Sequence, residues 1–352
     1  QKVASLAWER SIIMPTLFIS FTTSRPNDVK PFDASSVFVS NATYDVEFAV
    51  TDGTFNGKIG ASDATKLAGA ITAGKFNAAA VAGTNVALLA EGFIFSDEAD
   101  ANGYYTAVQG LRGAGTETDP YIINNVDELI LFRDSVNAGK TNYNAAGVYV
   151  ALAADIDLTS VANWAPIGTF DYTFDGNFDG KNHKIMNLKI SDNTAANGEA
   201  YLGFFGVTAN NTIGNFVIEN VTINSNGQIV AAAIAYPYYT VVENITVCGD
   251  IAIKGGNYTA GVLAYTRLCE TASNLTVNGN AGSYIKGGRV VGGIIADIQM
   301  NHGLVADYSD FSVSNVTISG TKMVGGISGI IATQTVDGCS VKDVVLVGAD
   351  PL

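Results

Sequence analysis

The chain has 352 residues, 47% of them hydrophobic and only 15% charged, with 38 glycines; it is too apolar for disorder and too glycine-rich for a helical bundle. Its formal net charge of −14, from 19 basic against 33 acidic residues, repels nucleic acid and anionic lipid, so neither is an expected partner. Three cysteines, Cys248, Cys269 and Cys339, are too few and too odd in number for a disulfide framework; they read as unpaired core residues, Cys339 standing where Ile245 stands in its repeat.

Residues 1–45 carry no repeat and read as an irregular N-terminal cap or small β module, alternating like strands from Phe38 to Val50. The apolar run Ser11–Phe21 is interrupted by Pro15 and is too short to span a bilayer, so no membrane insertion is expected; it has no clear cleavage site. In residues 46–110, Val50-Thr-Asp-Gly-Thr-Phe55 matches Ile71-Thr-Ala-Gly-Lys-Phe76 at an offset of 21 residues, about one minimal three-sided β coil. A hairpin follows, Leu88–Gly92 with Tyr104–Val108, turning at Asp100–Gly103. Glu98–Gln109 superficially resembles the start of a calcium loop. Its first position is Glu and its twelfth is Gln109, so the hairpin turn is preferred and no metal or cofactor is expected.

Residues 111–186 form an entry region. A Gly/Thr/Asp-rich connector, Gly113–Asn125, leads to the best helix candidate, residues 127–138, with Asn125 or Asp127 as N-cap and Gly139 as the stop. Strands follow at Val148–Ala153 and around Ile156, then a turn-rich stretch from Gly168 to Gly180.

From 187 to 352 one phrase recurs: Asn220-Val-Thr-Ile223, Asn244-Ile-Thr-Val247, Asn274-Leu-Thr-Val277 and Asn315-Val-Thr-Ile318, with worn copies at Asn187 and Gly338. Between the copies lies a second phrase, Gly203-Phe-Phe-Gly206, Gly261-Val-Leu-Ala264, Gly292-Gly-Ile-Ile-Ala296 and Gly325-Gly-Ile-Ser-Gly329. Two alternating phrases at a period of a few tens of residues mark a solenoid. Stacked coils set equivalent side chains in columns. A single asparagine ladder is therefore expected, Asn187, Asn220, Asn244, Asn274 and Asn315, with aliphatic residues inside, Thr outside and Gly at tight corners or close coil contacts. The steps of 33, 24, 30, 41 and 23 residues are assigned to loops of unequal length, the largest at about 297–314. Asn220, Asn244, Asn274 and Asn315 also fit the glycosylation pattern Asn-x-Thr, but recurrence where packing demands it favours the ladder. The fold class is thus all-β: a parallel β-helix, right-handed by the crossover preference, with one short embedded α-helix.

Parallel β-helices host pectin lyases and polygalacturonases, so the pairs Asp155/Asp157 and Asp175/Asp179 were weighed as hydrolytic carboxylates. Each pair reads better as a turn or strand-end element. Arg and Lys are sparse in the repeats, His183 and His302 lie far apart, and no Cys/His metal spacing exists; no catalytic residue is assigned. A binding edge fits better: Tyr236, Tyr238, Tyr239, Tyr265, Arg267, His302, Asp307, Tyr308 and Asp310 are expected to stack as an aromatic and acidic strip suited to a glycan or a host-surface protein. The competing reading has these tyrosines covering apolar loop bases. At the other extreme, Val344-Val-Leu346 close to Pro351-Leu352 lacks a polar cap, which points to more protein beyond it or to end-on self-association.

The alternating Gly and Asn phrases resemble the GLUG-motif repeats of bacterial surface and secreted proteins. The stretch Gly113-Ala-Gly-Thr-Glu-Thr-Asp-Pro-Tyr121, Asp155-Ile-Asp-Leu158, Trp164-Ala-Pro-Ile-Gly168, Phe178-Asp-Gly180 and His183-Lys-Ile-Met-Asn187 resembles their entry region, so the likeness covers about 111–348. Ala231-Ala232-Ala233 and Gly338 depart from the pattern. The resemblance implies a β-helical, adhesin-like protein, extracellular or on the cell surface, with no catalytic set to carry over. The expected function is a noncatalytic module presenting a loop edge for binding. The alternatives are a subunit of a self-assembling filament or phage fibre, and a polysaccharide-active β-helix enzyme.

Overall fold

A computed structural model describes residues 37–39, 50, 52–57, 59–61, 71–84, 88–90, 92–96, 98–191, 201–266, 268–298, 307–332 and 335–348. The chain divides into two compact units, Gln1–Gly110 and Leu111–Leu352.

In the first unit the 21-residue match is a stack of turns. Strands Thr54–Phe55 and Lys75–Asn77 pair in parallel, Phe55 opposite Phe76, and the two rings stack at 5.0 Å and 11°. Val50, Ile71 and Leu89 continue the register as bridges. The next layer departs from a simple coil. Ala78–Gly83 forms a six-residue helix, α1, whose N-cap Asn77 accepts from the Ala80 N–H; a second helix was not expected. Strand Tyr104–Gln109 then pairs antiparallel with Phe93–Phe95 and with Lys75–Asn77. The hairpin is present, but its first strand is Phe93–Phe95, not Leu88–Gly92: Leu88 and Leu89 are buried in the unit's core, and Gly92 at φ +72° turns the chain before the strand begins. At the turn, Asp100 Oδ1 accepts from the N–H groups of Asn102 and Tyr104. Of residues 1–45 only Val37–Val39 are described, paired in parallel with Ile59–Ala61.

The second unit is a parallel β-solenoid. Helix α2, Val126–Asn137, lies at its start and matches the expected helix to within a residue. Asn125 is the N-cap, accepting from the Glu128 N–H at 3.0 Å, while Glu128 accepts in return from the Asn124 N–H at 2.7 Å. Leu129, Phe132 and Val136 are fully buried. Phe132 meets Phe174 edge-on at 5.4 Å, so the helix closes the first coil with aromatic packing rather than leaving it open. Past this plug the interior becomes columns of aliphatic side chains. Ile218, Val247, Val277 and Val313 form one column, and Ile223, Ile253, Ile285 and Ile318 another. All eight are at most 1% exposed, each contributing about 1.5–3 kcal/mol of burial.

One face is a five-stranded sheet, Tyr201–Leu202, Ile229–Ala231, Tyr258–Ala260, Val290–Gly292 and Met323–Gly325. The remaining faces are joined by strands long enough to wrap corners, Phe205–Asn224 and Ile234–Lys254. Those corners are where the asparagines sit, and here the single expected ladder is corrected. There are two. Asn215, Asn244, Asn274, Asp310 and Gly338 share one register; Asn187, Asn220, Gly249, Gly279, Asn315 and Asp343 share the other. The two stand five residues apart on every coil, and almost every member has φ between +52° and +81°. The 24-residue step from Asn220 to Asn244 is a crossing between columns, not a short loop, and the 41-residue step from Asn274 to Asn315 crosses back.

The glycine phrase marks a corner of another kind. Gly261 N–H donates to Gly293 O at 3.1 Å, and Gly293 N–H to Gly325 O at 3.2 Å. A Cβ on Gly261 would stand 2.3 Å from Gly293 O, and one on Gly293 would stand 1.9 Å from Gly326 O. On these two coils the next carbonyl therefore leaves no room for a side chain at Gly261 and Gly293, although the same column carries Ala232 on the preceding coil. The coil with Ala231-Ala232-Ala233 keeps its register, Ala231 opposite Ala260, with all three alanines fully buried.

Candidate functional site

The tyrosine edge is assembled around the outside of the glycine corner. Tyr236 and Tyr265 leave that corner on successive coils, and their rings lie 5.6 Å apart. Tyr238 reaches Tyr236 at 6.0 Å, and Tyr239 meets Tyr238 edge-on at 4.6 Å. These four are partly exposed and form one cluster. The loop is held by the Tyr239 N–H donating to Leu268 O at 3.0 Å, with Tyr239 at φ +47° and Leu268 at φ +59°. Beneath it lies a buried polar network. Thr240 Oγ1 donates to Asn211 Oδ1 at 2.9 Å, Asn211 Nδ2 donates to the carbonyls of Phe174 and Gly176, and Cys269 Sγ points to Thr240 O. These bonds satisfy the buried polar groups beneath the loop.

The cluster is larger than the sequence suggested. Tyr201 stacks on Tyr236 at 5.6 Å and 22°, Phe170 stacks on Tyr201 at 6.1 Å and 15°, and Tyr258 packs on Tyr265 at 5.0 Å. Tyr201 and Tyr258 precede the small-residue corner as Tyr236 and Tyr265 follow it, a flanking pattern that was available to find them. Phe170 belongs to an entry-region turn and carried no such signal.

The other expected members do not join the strip. Tyr308 is 1% exposed. It stands in the inward column with Ala272 and Val242, and its hydroxyl reaches Thr266 Oγ1 at 3.5 Å and Cys269 O at 3.4 Å. The small Ala272 leaves room for the ring beside it. Asp310 is a corner residue of the first ladder, at φ +60°. Asp307 is exposed, in register with Thr271 on the strand beyond the loop. Arg267 and His302 lie outside the described residues.

The weighed carboxylates have structural duties. Asp157 Oδ1 accepts from Asn187 Nδ2 at 2.8 Å and caps a short 3₁₀ turn through the Thr159 N–H at 2.9 Å. Asp179 Oδ1 accepts from Asn215 Nδ2 at 3.1 Å. These two acids stand at the starts of the two ladders, where a chain of amide donors needs an acceptor-only group. Above them the polarity is constant: Asn220 Nδ2 donates to Asn187, Asn244 to Asn215 at 2.8 Å, and Asn274 to Asn244 at 2.7 Å. Asp155 accepts from the Lys184 N–H at 2.9 Å and pairs with His183 Nδ1 at 3.1 Å; Asp175 accepts from Thr173 Oγ1. Hydrogen bonds from Thr159 and Asn187 hold the Asp157 carboxyl below its ordinary pKa, and those from Lys184 and His183 do the same for Asp155. At Asp179 burial pushes upward, and the bonds from Lys181 and Asn215 outweigh it. Ionised carboxylates already engaged in this way are poorly placed to deliver a proton. Among the described residues, no three His, Cys, Asp or Glu side chains gather as metal ligands, and no helix is long and apolar enough to cross a membrane.

None of the three cysteines is in a disulfide, and only Cys269 is core, its thiol pushed by burial up to about 12. Cys248 is half-buried and Cys339 exposed, which corrects the expectation for both. Cys248 lies between Glu219 and Asn278 on an outward column. Cys339 follows Gly338 on the last described coil, where Val341, Val345, Leu346 and Val347 are also 47–57% exposed.

No protein-family model matches the chain, and no curated protein matches it. A solved structure similar to it is that of a Bacteroides ovatus protein described as a candidate immunoglobulin A1 protease, 19% identical, with a TM-score of 0.45, covering 66% of this chain and 79% of that one. A likeness of that degree says nothing of activity.

Proposed function

We propose that this chain is a noncatalytic, adhesin-like module of an extracellular or cell-surface protein, of the kind the GLUG-repeat resemblance implies, and that it holds a glycan or host-surface protein along its aromatic edge. The observation that carries this reading is the run of rings outside the glycine corner, Phe170, Tyr201, Tyr236, Tyr265 and Tyr258, each touching the next. Of the five, Tyr258 also packs against the buried Ala260, Val290 and Ala296, while the polar groups beneath the Tyr238–Tyr239 loop are satisfied by their own hydrogen bonds. A continuous, partly exposed aromatic surface set on stacked coils is a rigid contact platform. The duties of Asp157 and Asp179 at the ladder starts, and the local hydrogen bonds of Asp155 and Asp175, weigh against the polysaccharide-active alternative.

The test is binding to a glycan array and to immobilised mucin-type glycoprotein by the native chain and by a Tyr236→Ser/Tyr238→Ser/Tyr239→Ser variant. The variant should lose the native signal while keeping its far-UV spectrum. A variant that binds as well as the native chain would overturn the reading.

A further inference from the structure

The strip does not offer equal surfaces along its length. Tyr201 lies between Phe170 and Tyr236; Tyr236 lies between Tyr201 and Tyr265; Tyr265 lies between Tyr236 and Tyr258. Tyr201 is stacked on both sides, at 15° and 22°, and Tyr236 on one side, so those ring faces already serve one another; Tyr236 meets Tyr265 tilted at 36°, and Tyr265 meets Tyr258 tilted at 59°. Phe170 is different. It is the end of the stack, with one ring neighbour among the described residues, and is 66% exposed, the most exposed of the described large hydrophobic side chains.

Its placement is rigid. The turn Thr169–Tyr172 is closed by the Thr169 N–H to Tyr172 O at 2.8 Å and by the Tyr172 N–H to Thr169 Oγ1 at 3.1 Å. Its root is pinned to the next coil on both sides: the Val207 N–H donates to Gly168 O at 3.2 Å, and the Phe174 N–H donates to Val207 O at 3.0 Å. Gly168, at φ +80°, permits this because a Cβ there would stand 2.3 Å from Val207 O. Tyr172, 49% exposed, lies against Gly139, where a Cβ would meet its ring at 2.6 Å. Asp171, between Phe170 and Tyr172 in the chain, is exposed.

Resting on the proposed binding role, we infer that Phe170, with Tyr172 and Asp171, forms the primary subsite of the edge and takes the apolar face of a neutral pyranose ring, while the tyrosines packed in series behind it give flanking contacts. A largely exposed aromatic ring, next in the chain to an exposed carboxylate, matches a sugar that has C–H groups on one face and hydroxyls at its rim. Asp171 and the net charge of −14 disfavour acidic sugars.

The experiment is an array of neutral oligosaccharides of glucose, galactose, mannose and N-acetylglucosamine, followed by titration of each hit against four forms of the full chain: native, Phe170→Ala, Phe170→Trp and Tyr236→Phe. Phe170 is largely exposed on a surface turn, and matching near-UV spectra establish that the variants are folded. Phe170→Ala should weaken binding by about tenfold or more, Phe170→Trp should retain it, and Tyr236→Phe should weaken it by less than Phe170→Ala does. Hits that survive Phe170→Ala, or that fall equally with Tyr236→Phe, overturn the subsite and leave the edge standing. Mucin-type protein binding that depends on the tyrosines, with no neutral-sugar hit, also overturns the subsite alone. Loss of neither glycan nor protein signal in the triple tyrosine variant overturns the edge itself.

Discussion

The asparagine corners and the glycine corner turn the same chain by opposite means. At Asn244 the backbone adopts φ +54°, and the side chain links coils by accepting from Asn274 and donating to Asn215. At Gly293 no positive φ is involved; the corner works because the next carbonyl occupies the space a Cβ would need. One corner is held by what its side chain does, the other by what its side chain would prevent. The first kind tolerates change in proportion to the bonds lost, and the second does not.

Substitutions should therefore separate the two, most sharply at glycine. Gly293→Ala places Cβ 1.9 Å from Gly326 O, backbone that cannot swing aside; denaturant unfolding should show a loss of about 3 kcal/mol or more. Asn244→Ala should lose about 2–3 kcal/mol, through two hydrogen bonds and the strain of a left-handed Ala. Asn244→Gly removes the strain and keeps the loss of the bonds, so it should recover about 1 kcal/mol relative to Asn244→Ala. Failure of Gly to improve on Ala would mean that backbone conformation contributes nothing at this corner.

The ladder starts supply a pH test. Asp155, Asp157 and Asp179 have folded pKa values below the unfolded reference of about 3.9. Their stabilisation is complete above that reference and is lost as pH falls through the folded values. Amide–amide links do not titrate. Asp157→Asn should therefore flatten the acid limb of the stability curve while leaving the glycine corner untouched; an unchanged acid limb would remove Asp157 from the ladder. The smallest effect concerns Asp310, which has no donor to offer Asn274 Oδ1. Asp310→Asn continues the amide chain at a compatible φ of +60° and should stabilise by about 0.5–1 kcal/mol in denaturant unfolding.

Much of this was legible in the amino-acid order. The helix from Val126 showed its Asn125 cap and Gly139 stop, and the stacked coils showed their recurring phrases. The two-column arrangement was hidden because Asn-aliphatic-Thr-aliphatic is written at both corners: at Asn220 and Asn315 for one, at Asn244 and Asn274 for the other. The intervening corners carry Gly249 and Gly279 in one column and Asp310 and Gly338 in the other, which broke each true repeat and let the false one read through. Asn215, followed by Phe216-Val217, lacked the Thr that would have identified it. Once the column is known, Tyr308 is placed by counting: two residues before the first corner is an inward position, as at Ile213, Val242 and Ala272. Phe170 could not be found by counting, since its contact with Tyr201 joins an entry turn to a repeat.

The most direct measurement of the two-ladder arrangement is a pair of double-mutant cycles with alanine at Asn215, Asn220 and Asn244. Asn215 with Asn244 should show a coupling energy of about 1 kcal/mol, from their 2.8 Å bond. Asn220 with Asn244, neighbours in the repeat but members of different columns, should be additive within about 0.3–0.5 kcal/mol. Coupling between Asn220 and Asn244 with none between Asn215 and Asn244 would contradict the arrangement.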